Sequence, residues 1–174
     1  MTPEQRAHVV RYLEETRAAL LDTTRDLTPQ QWFQRPAPEA WCAAECVEHL
    51  SITERGLLRT IRRLCEAPAA SAADLAAAAG KESLIERAVP SRGRRVRGPD
   101  ASMPRLESTD HAAILARFVE IRAHSIDYAR TTSDPIRERL FPHFVFGPLD
   151  GYQWMIFMAA HSERHRKQIL EAVA

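Results

Sequence analysis

Four long stretches of this chain repeat apolar residues at alternating spacings of three and four, and no stretch shows the two-residue alternation of a strand. That period confines the fold to helices that bury one face each against one another. The first stretch opens with Thr2-Pro3-Glu4-Gln5, an N-cap, a proline at the first helical position and a glutamine at N3, which together satisfy orphaned amide donors. Val9, Leu13, Thr16, Leu20, Thr23 and Leu27 then share a face, predicting a helix over about residues 3–27. Ala43, Val47, Leu50, Glu54, Leu57, Ile61 and Leu64 predict a second over 43–65. Ile114, Phe118, Ile121, Ser125 and Tyr128 predict a third over 109–131, with Ser108, Thr109 and Asp110 as cap candidates and Ser133-Asp134-Pro135 as its end. The fourth starts at Asp150, with Gln153 at N3, and runs to about residue 172. The expectation is an all-α four-helix bundle, one domain over residues 1–174.

The connections are unequal. Thr28-Pro29-Gln30-Gln31 repeats the helix-start signal for one or two turns, which Pro36 and Pro38 close. Residues 66–107 are alanine-rich and then basic, with Arg92, Arg94, Arg95, Arg97 and Arg105 among Gly, Pro and Ser, and suggest one short helix near Ala72 to Ala79. A connection of this size can return along a helix of ~36 Å, which would leave helices two and three parallel. Phe141 to Pro148 reads as an aromatic loop with turn residues.

Composition narrows the function classes. Hydrophobic residues are 45% and charged residues 27%, with a formal charge of +1, so the overall balance calls for neither nucleic acid nor an anionic membrane. The densest apolar run, Met155 to Ala160, is far short of the ~20 residues of a membrane span. The N-terminus has no signal-peptide pattern, and three cysteines fit no secreted framework, which together predict a cytoplasmic protein with reduced thiols. The Arg92 to Arg97 patch is the one feature that would suit nucleic acid. Without an interleaved aromatic for stacking it reads more simply as a solvated loop.

The chemistry concentrates on the fourth helix, where Trp154, Met158, His161, His165, Ile169 and Ala172 fall on one face. Two imidazoles one turn apart on an apolar stripe point into the bundle and can reach one divalent ion; two satisfied core histidines are the structural alternative. His49, at the flank of the second stripe near Cys46 and Thr53 in angle, is the third ligand candidate. A ferritin-like di-iron site would need Glu-x-x-His pairs, and Cys46, Met158 and Ser162 stand where those glutamates would be. Cys42, Cys46 and His49 could make a soft site, although a helix start with cysteines packed as small hydrophobes is the commoner explanation. Glu54 is the odd member of its stripe, a carboxylate that needs a partner or a wet surrounding.

Trp41-Cys42-Ala43-Ala44-Glu45-Cys46-Val47-Glu48-His49-Leu50 resembles the helix-two motif of the DinB-like family. Gly147-Pro148-Leu149 through Trp154 to His161-Ser162-Glu163-Arg164-His165-Arg166-Lys167-Gln168-Ile169 is similar to that family's closing His-x-x-Arg-His-x-x-Gln-Ile helix. The resemblance spans essentially the whole chain. It implies an up-down-down-up four-helix bundle with a long crossover between helices two and three, often paired as a homodimer. It also implies one divalent ion per chain, nickel or zinc, on His49, His161 and His165. Relatives with such a site include transferases that join a low-molecular-weight thiol to an electrophile and thiol-dependent isomerases, so the resemblance implies a metal-dependent thiol transferase or a hydrolase acting on small molecules; many family members have no known reaction, and a non-enzymatic metal-binding or stress-response bundle is the alternative. Arg164, Tyr152 and His143 are candidate helpers with no catalytic role assigned. Where family members often have Ser-Pro this chain has Cys42-Ala43, which removes a good N-cap from helix two.

Overall fold

The computed structural model describes residues 1–93 and 98–174, so Arg94, Arg95 and Arg97 of the basic patch lie outside the described residues. Four long helices carry the architecture: α1 (Pro3–Thr24), α3 (Ala43–Leu64), α6 (His111–Thr131) and α7 (Gly151–Val173). Between them stand the short helices α2 (Pro29–Phe33), α4 (Ala72–Ala78) and α5 (Glu82–Ala88), and two strands, β1 (Leu140–His143) and β2 (Gly147–Asp150). Among the described residues no helix is long and apolar enough to cross a membrane.

The start signals act as the sequence predicts. Thr2 accepts from the Gln5 amide while Gln5 Oε1 accepts from the Thr2 amide, and Asp150 and Gln153 make the same reciprocal pair at the head of α7. At α6 the cap is Asp110, whose Oδ1 accepts from Ala112 and Ala113. At α3 the missing serine is offset by Glu45, which turns back to accept from the Cys42 amide at 3.0 Å, so the start of that helix is still capped.

In the bundle, α1 and α3 each pack on both α6 and α7. Arg6, in the first turn of α1, donates to the carbonyls of Ala129 and Thr132 at the end of α6. Along α3 and α6, Glu54 meets Arg122 and, further on, Arg62 lies over the Tyr128 ring. All five apolar-stripe residues predicted for α6 are buried. In α1 the helix stops three residues early and Thr24, not Thr23, takes the buried place, its hydroxyl bonded to the Leu20 carbonyl. The stripe of α3 also drifts, burying Leu58 more fully than Leu57, because a straight helix rotates slowly against a heptad repeat.

Two expectations need correcting. The crossover holds a second helix, α5, unmarked by any cap motif because its N-cap is Lys81, with no capping side-chain bond; it buries Ile85 and packs on α7. Residues 141–148 form an antiparallel hairpin rather than a loop, with Leu140 opposite Asp150 and His143 opposite Gly147. Pro142 faces Pro148, an arrangement tolerable only where no further strand needs their missing donors, and four-residue strands with a proline each show no readable alternation. Gly147, at φ +69°, brings the chain out of the turn in the left-handed conformation glycine adopts freely.

At the centre of the bundle Arg122, fully buried, answers the question raised by Glu54. Its Nε donates to both Glu54 oxygens (2.8 and 3.1 Å) and its Nη2 to Oε2 at 2.8 Å and to Ser162 Oγ at 2.5 Å. Nη1 donates to the Leu13 carbonyl and to Thr16 Oγ1. One guanidinium thereby touches α1, α3 and α7 from α6. Replacing Glu54 with Ala strands this charge without its counter-ion, and the expected cost is about 3–5 kcal/mol, read as a lowered urea midpoint. The double replacement Glu54→Leu with Arg122→Met should recover much of the loss; an unchanged midpoint in the single variant would show that the pair does not carry this weight.

Candidate metal centre

The second turn of α3 and the middle of α7 face each other, and this brings the three predicted histidines together. Their ligand atoms all lie within 4.8 Å of one another. His161 Nε2 is 3.4 Å from His49 Nε2 and 3.0 Å from His165 Nε2. Three nitrogens about 2.0–2.1 Å from a tetrahedral ion stand about 3.3 Å apart, so these separations are of the right scale for a common ion.

The outer ring nitrogens decide which lone pairs face inward. His49 Nδ1 donates to the Ser102 carbonyl at 2.6 Å, and His165 Nδ1 donates to Gln168 Oε1 at 3.0 Å. With those protons outside, both Nε2 atoms are bare acceptors. A proton on His161 Nε2 could satisfy only one of them, so the cluster has more lone pairs than donors to meet them. Burial lowers all three imidazole pKa values; for His49 the Ser102 carbonyl opposes the fall, while for His161 and His165 the neighbouring histidines deepen it. Neutral, converging imidazoles are the form in which histidine binds a metal, and the donor set fits a divalent ion.

Residues 12–169, most of the chain, match the DinB superfamily. The chain belongs to that superfamily. Among solved structures it is similar to YfiT from Bacillus subtilis, described as a probable metal-dependent hydrolase with an unusual four-helix bundle topology. The TM-score is 0.63 at 19% identity, over 98% of this chain and 87% of that one, a likeness that shows the four-helix fold. No curated protein matches.

Around this DinB-type cluster the supporting residues come from segments that the histidine spacing alone does not reveal. Trp41, just before α3, stacks on His165 (centroids 5.7 Å apart) and sits 4.8 Å from His49. Phe157 stacks on His161 at 5.2 Å. Gln168 is held in turn by Arg92, which donates to its Oε1 and also pairs with Glu171. The spacing of Gln168 three residues after His165 is a readable signal; nothing in the sequence announces the Ser102 carbonyl, because a backbone acceptor carries no residue preference.

The candidate helpers are dispersed. Tyr152 packs beneath Arg137 at the head of α7. Arg164 donates to the carbonyls of Val89 and Ser91 and so fastens the crossover. His143 lies on the hairpin, separated from His161 by the Phe157 ring. The cluster of His49, His161 and His165 contains no cysteine; Cys42 and Cys46 are buried among apolar residues, which pushes their thiols up, against the soft-site alternative. Arg92, the described end of the basic patch, is engaged with Glu171 and Gln168, which weighs against a free phosphate-binding role for it.

His143 accepts from the amides of Val145 and Phe146 at Nδ1, and burial lowers its pKa to about 4. The unfolded chain protonates this ring near 6.5, so its contribution is full above that pH and is lost as pH falls toward about 4. The three clustered imidazoles act with the same sign. In the presence of a chelator the urea midpoint should therefore decline from pH 6.5 downward, less steeply in His143→Gln. A wild-type profile flat through that window would contradict the neutral assignments.

Proposed function

We propose that His49, His161 and His165 hold one divalent ion, zinc or nickel, and that the site uses it to activate a small nucleophile against a small electrophilic substrate. The observation that carries this reading is the convergence of three Nε2 atoms, two of them stripped of protons by Ser102 and Gln168. Imidazole donors suit these borderline ions. Three protein ligands leave a coordination place for an exogenous group, where the ion supplies Lewis-acid chemistry that lowers the pKa of what binds it.

Of the two nucleophiles such a site can use, the surroundings favour a low-molecular-weight thiol over water. Glu54, the one carboxylate among the described residues lining the crevice beside His161, has both oxygens taken by Arg122 and so is not free to serve as a general base. A thiol, with an ordinary pKa near 8.5, needs far less help to ionise than water does. Trp41 and Phe157 cover the imidazoles with apolar surface, which limits water around them. Hydrolysis is the second reading, supported by the similarity to YfiT.

Protein purified without an affinity tag should carry close to one ion per chain by elemental analysis, and His49→Ala or His161→Ala should lose it. Metal-free, fully folded wild type would leave the cluster as packed core histidines. Loaded protein should conjugate a thiol to an alkylating electrophile faster than the His49→Ala variant does. Ester or amide cleavage without thiol turnover would select the hydrolase, and bound metal with neither reaction would select a non-enzymatic metal-binding bundle.

A further inference from the structure

Serine and threonine hydroxyls inside these helices habitually bond the carbonyl four residues back. Thr16 bonds Tyr12, Ser125 bonds Ile121 and Ser162 bonds Met158 in this way, and on α3 itself Ser51 bonds Val47 and Thr60 bonds Gly56. Thr53 departs from the habit. Its Oγ1 is buried and has no hydrogen-bond partner among the described residues. Leaving a buried hydroxyl unmet is destabilising, and the backbone alternative one turn away, the His49 carbonyl, is not used.

The position of Thr53 gives that cost a use. It lies one turn after His49 on α3, and four-residue spacing places the two side chains side by side on the helix surface. With His161 it lines a narrow crevice between α3 and α7, whose other walls are Leu50, Leu57, Met158 and Glu54. The crevice is too narrow as it stands to seat a water molecule, so solvent does not relieve the hydroxyl. Glu54 is neutralised by Arg122, which leaves Thr53, beside the His161 imidazole, as the polar group free to address an occupant. Leu57 is half-buried and Met158 is unbranched, and side-chain rotation of such residues widens a crevice without moving a helix.

We propose that Thr53 is a positioning residue of the three-histidine site: its hydroxyl hydrogen-bonds a polar atom of a slender, uncharged-stemmed small molecule whose reacting end lies against the histidines. The assignment rests on the metal reading above and adds a specificity element to it. The occupant it selects has a short apolar stem, matched to Leu50, Leu57 and Met158, and a hydroxyl or carbonyl within a few bonds of its metal-binding atom.

The test uses cobalt-loaded protein and two probes that differ by one oxygen, 2-mercaptoethanol and ethanethiol, titrated by the sulfur-to-cobalt absorption band. Wild type should bind 2-mercaptoethanol about fivefold more tightly than ethanethiol, the value of one added hydrogen bond. Thr53→Val, which keeps the shape and removes the hydroxyl, should abolish the preference, and Thr53→Ser should retain it. Both variants should hold cobalt as wild type does, and Thr53→Val should not lower the urea midpoint, since it removes an unmet polar group. A preference unchanged in Thr53→Val, or absent from wild type, overturns the assignment while the cobalt spectrum stands. Loss of the metal reading itself has a different signature: wild type that takes up no cobalt, or His49→Ala that takes it up equally.

Discussion

A fully buried guanidinium commits its surroundings more than any apolar contact does, because each of its donors must find an acceptor or the fold loses several kcal/mol. Arg122 meets that demand with the Glu54 carboxylate, the Leu13 carbonyl and the hydroxyls of Thr16 and Ser162. Apolar stripes can slide by a residue and still bury most of their area, as the drift of α1 and α3 shows. The fork of Arg122 cannot slide, so it pins the register of four helices at one level.

That level sits directly beneath the histidines. Ser162, which accepts from Arg122, is the neighbour of His161, and Glu54 is the neighbour of Thr53, so the polar core and the site share the same turns of α3 and α7. The packing that holds the imidazoles inward and the hydrogen bonds that turn their Nε2 atoms toward one another come from different parts of the chain. Trp41 and Phe157 fix the rings by stacking; Ser102 and Gln168 fix the tautomers. A histidine cluster becomes a binding site only when both are present.

Much of this architecture is legible in the sequence. The caps at Thr2 and Asp150, the buried face of α6, with Asp110 among three cap candidates, and the grouping of His161 with His165 follow from the sequence, and resemblance to the DinB-like family joins His49 to them. What spacing could not supply has physical reasons. Arg122 looks like any surface arginine on a helix until Glu54 is placed opposite it, 68 residues away. The hairpin carries too few residues for a period to register, and α5 begins without a cap. The partner of His49 is a carbonyl, the same in every residue, and a ligand-facing hydroxyl such as Thr53 is told from an idle one only by the bond it fails to make.

The Ser102 carbonyl has one more consequence. An orienting group made of backbone is indifferent to the identity of its residue, so the crossover can change its sequence widely provided its path past His49 is kept. Divergence in that segment would then leave the imidazole tautomer untouched, whereas Gln168, which performs the same task through a side chain, has no such freedom. The two halves of the site therefore differ in how much substitution they tolerate: one is guarded by the shape of a loop, the other by a single amide.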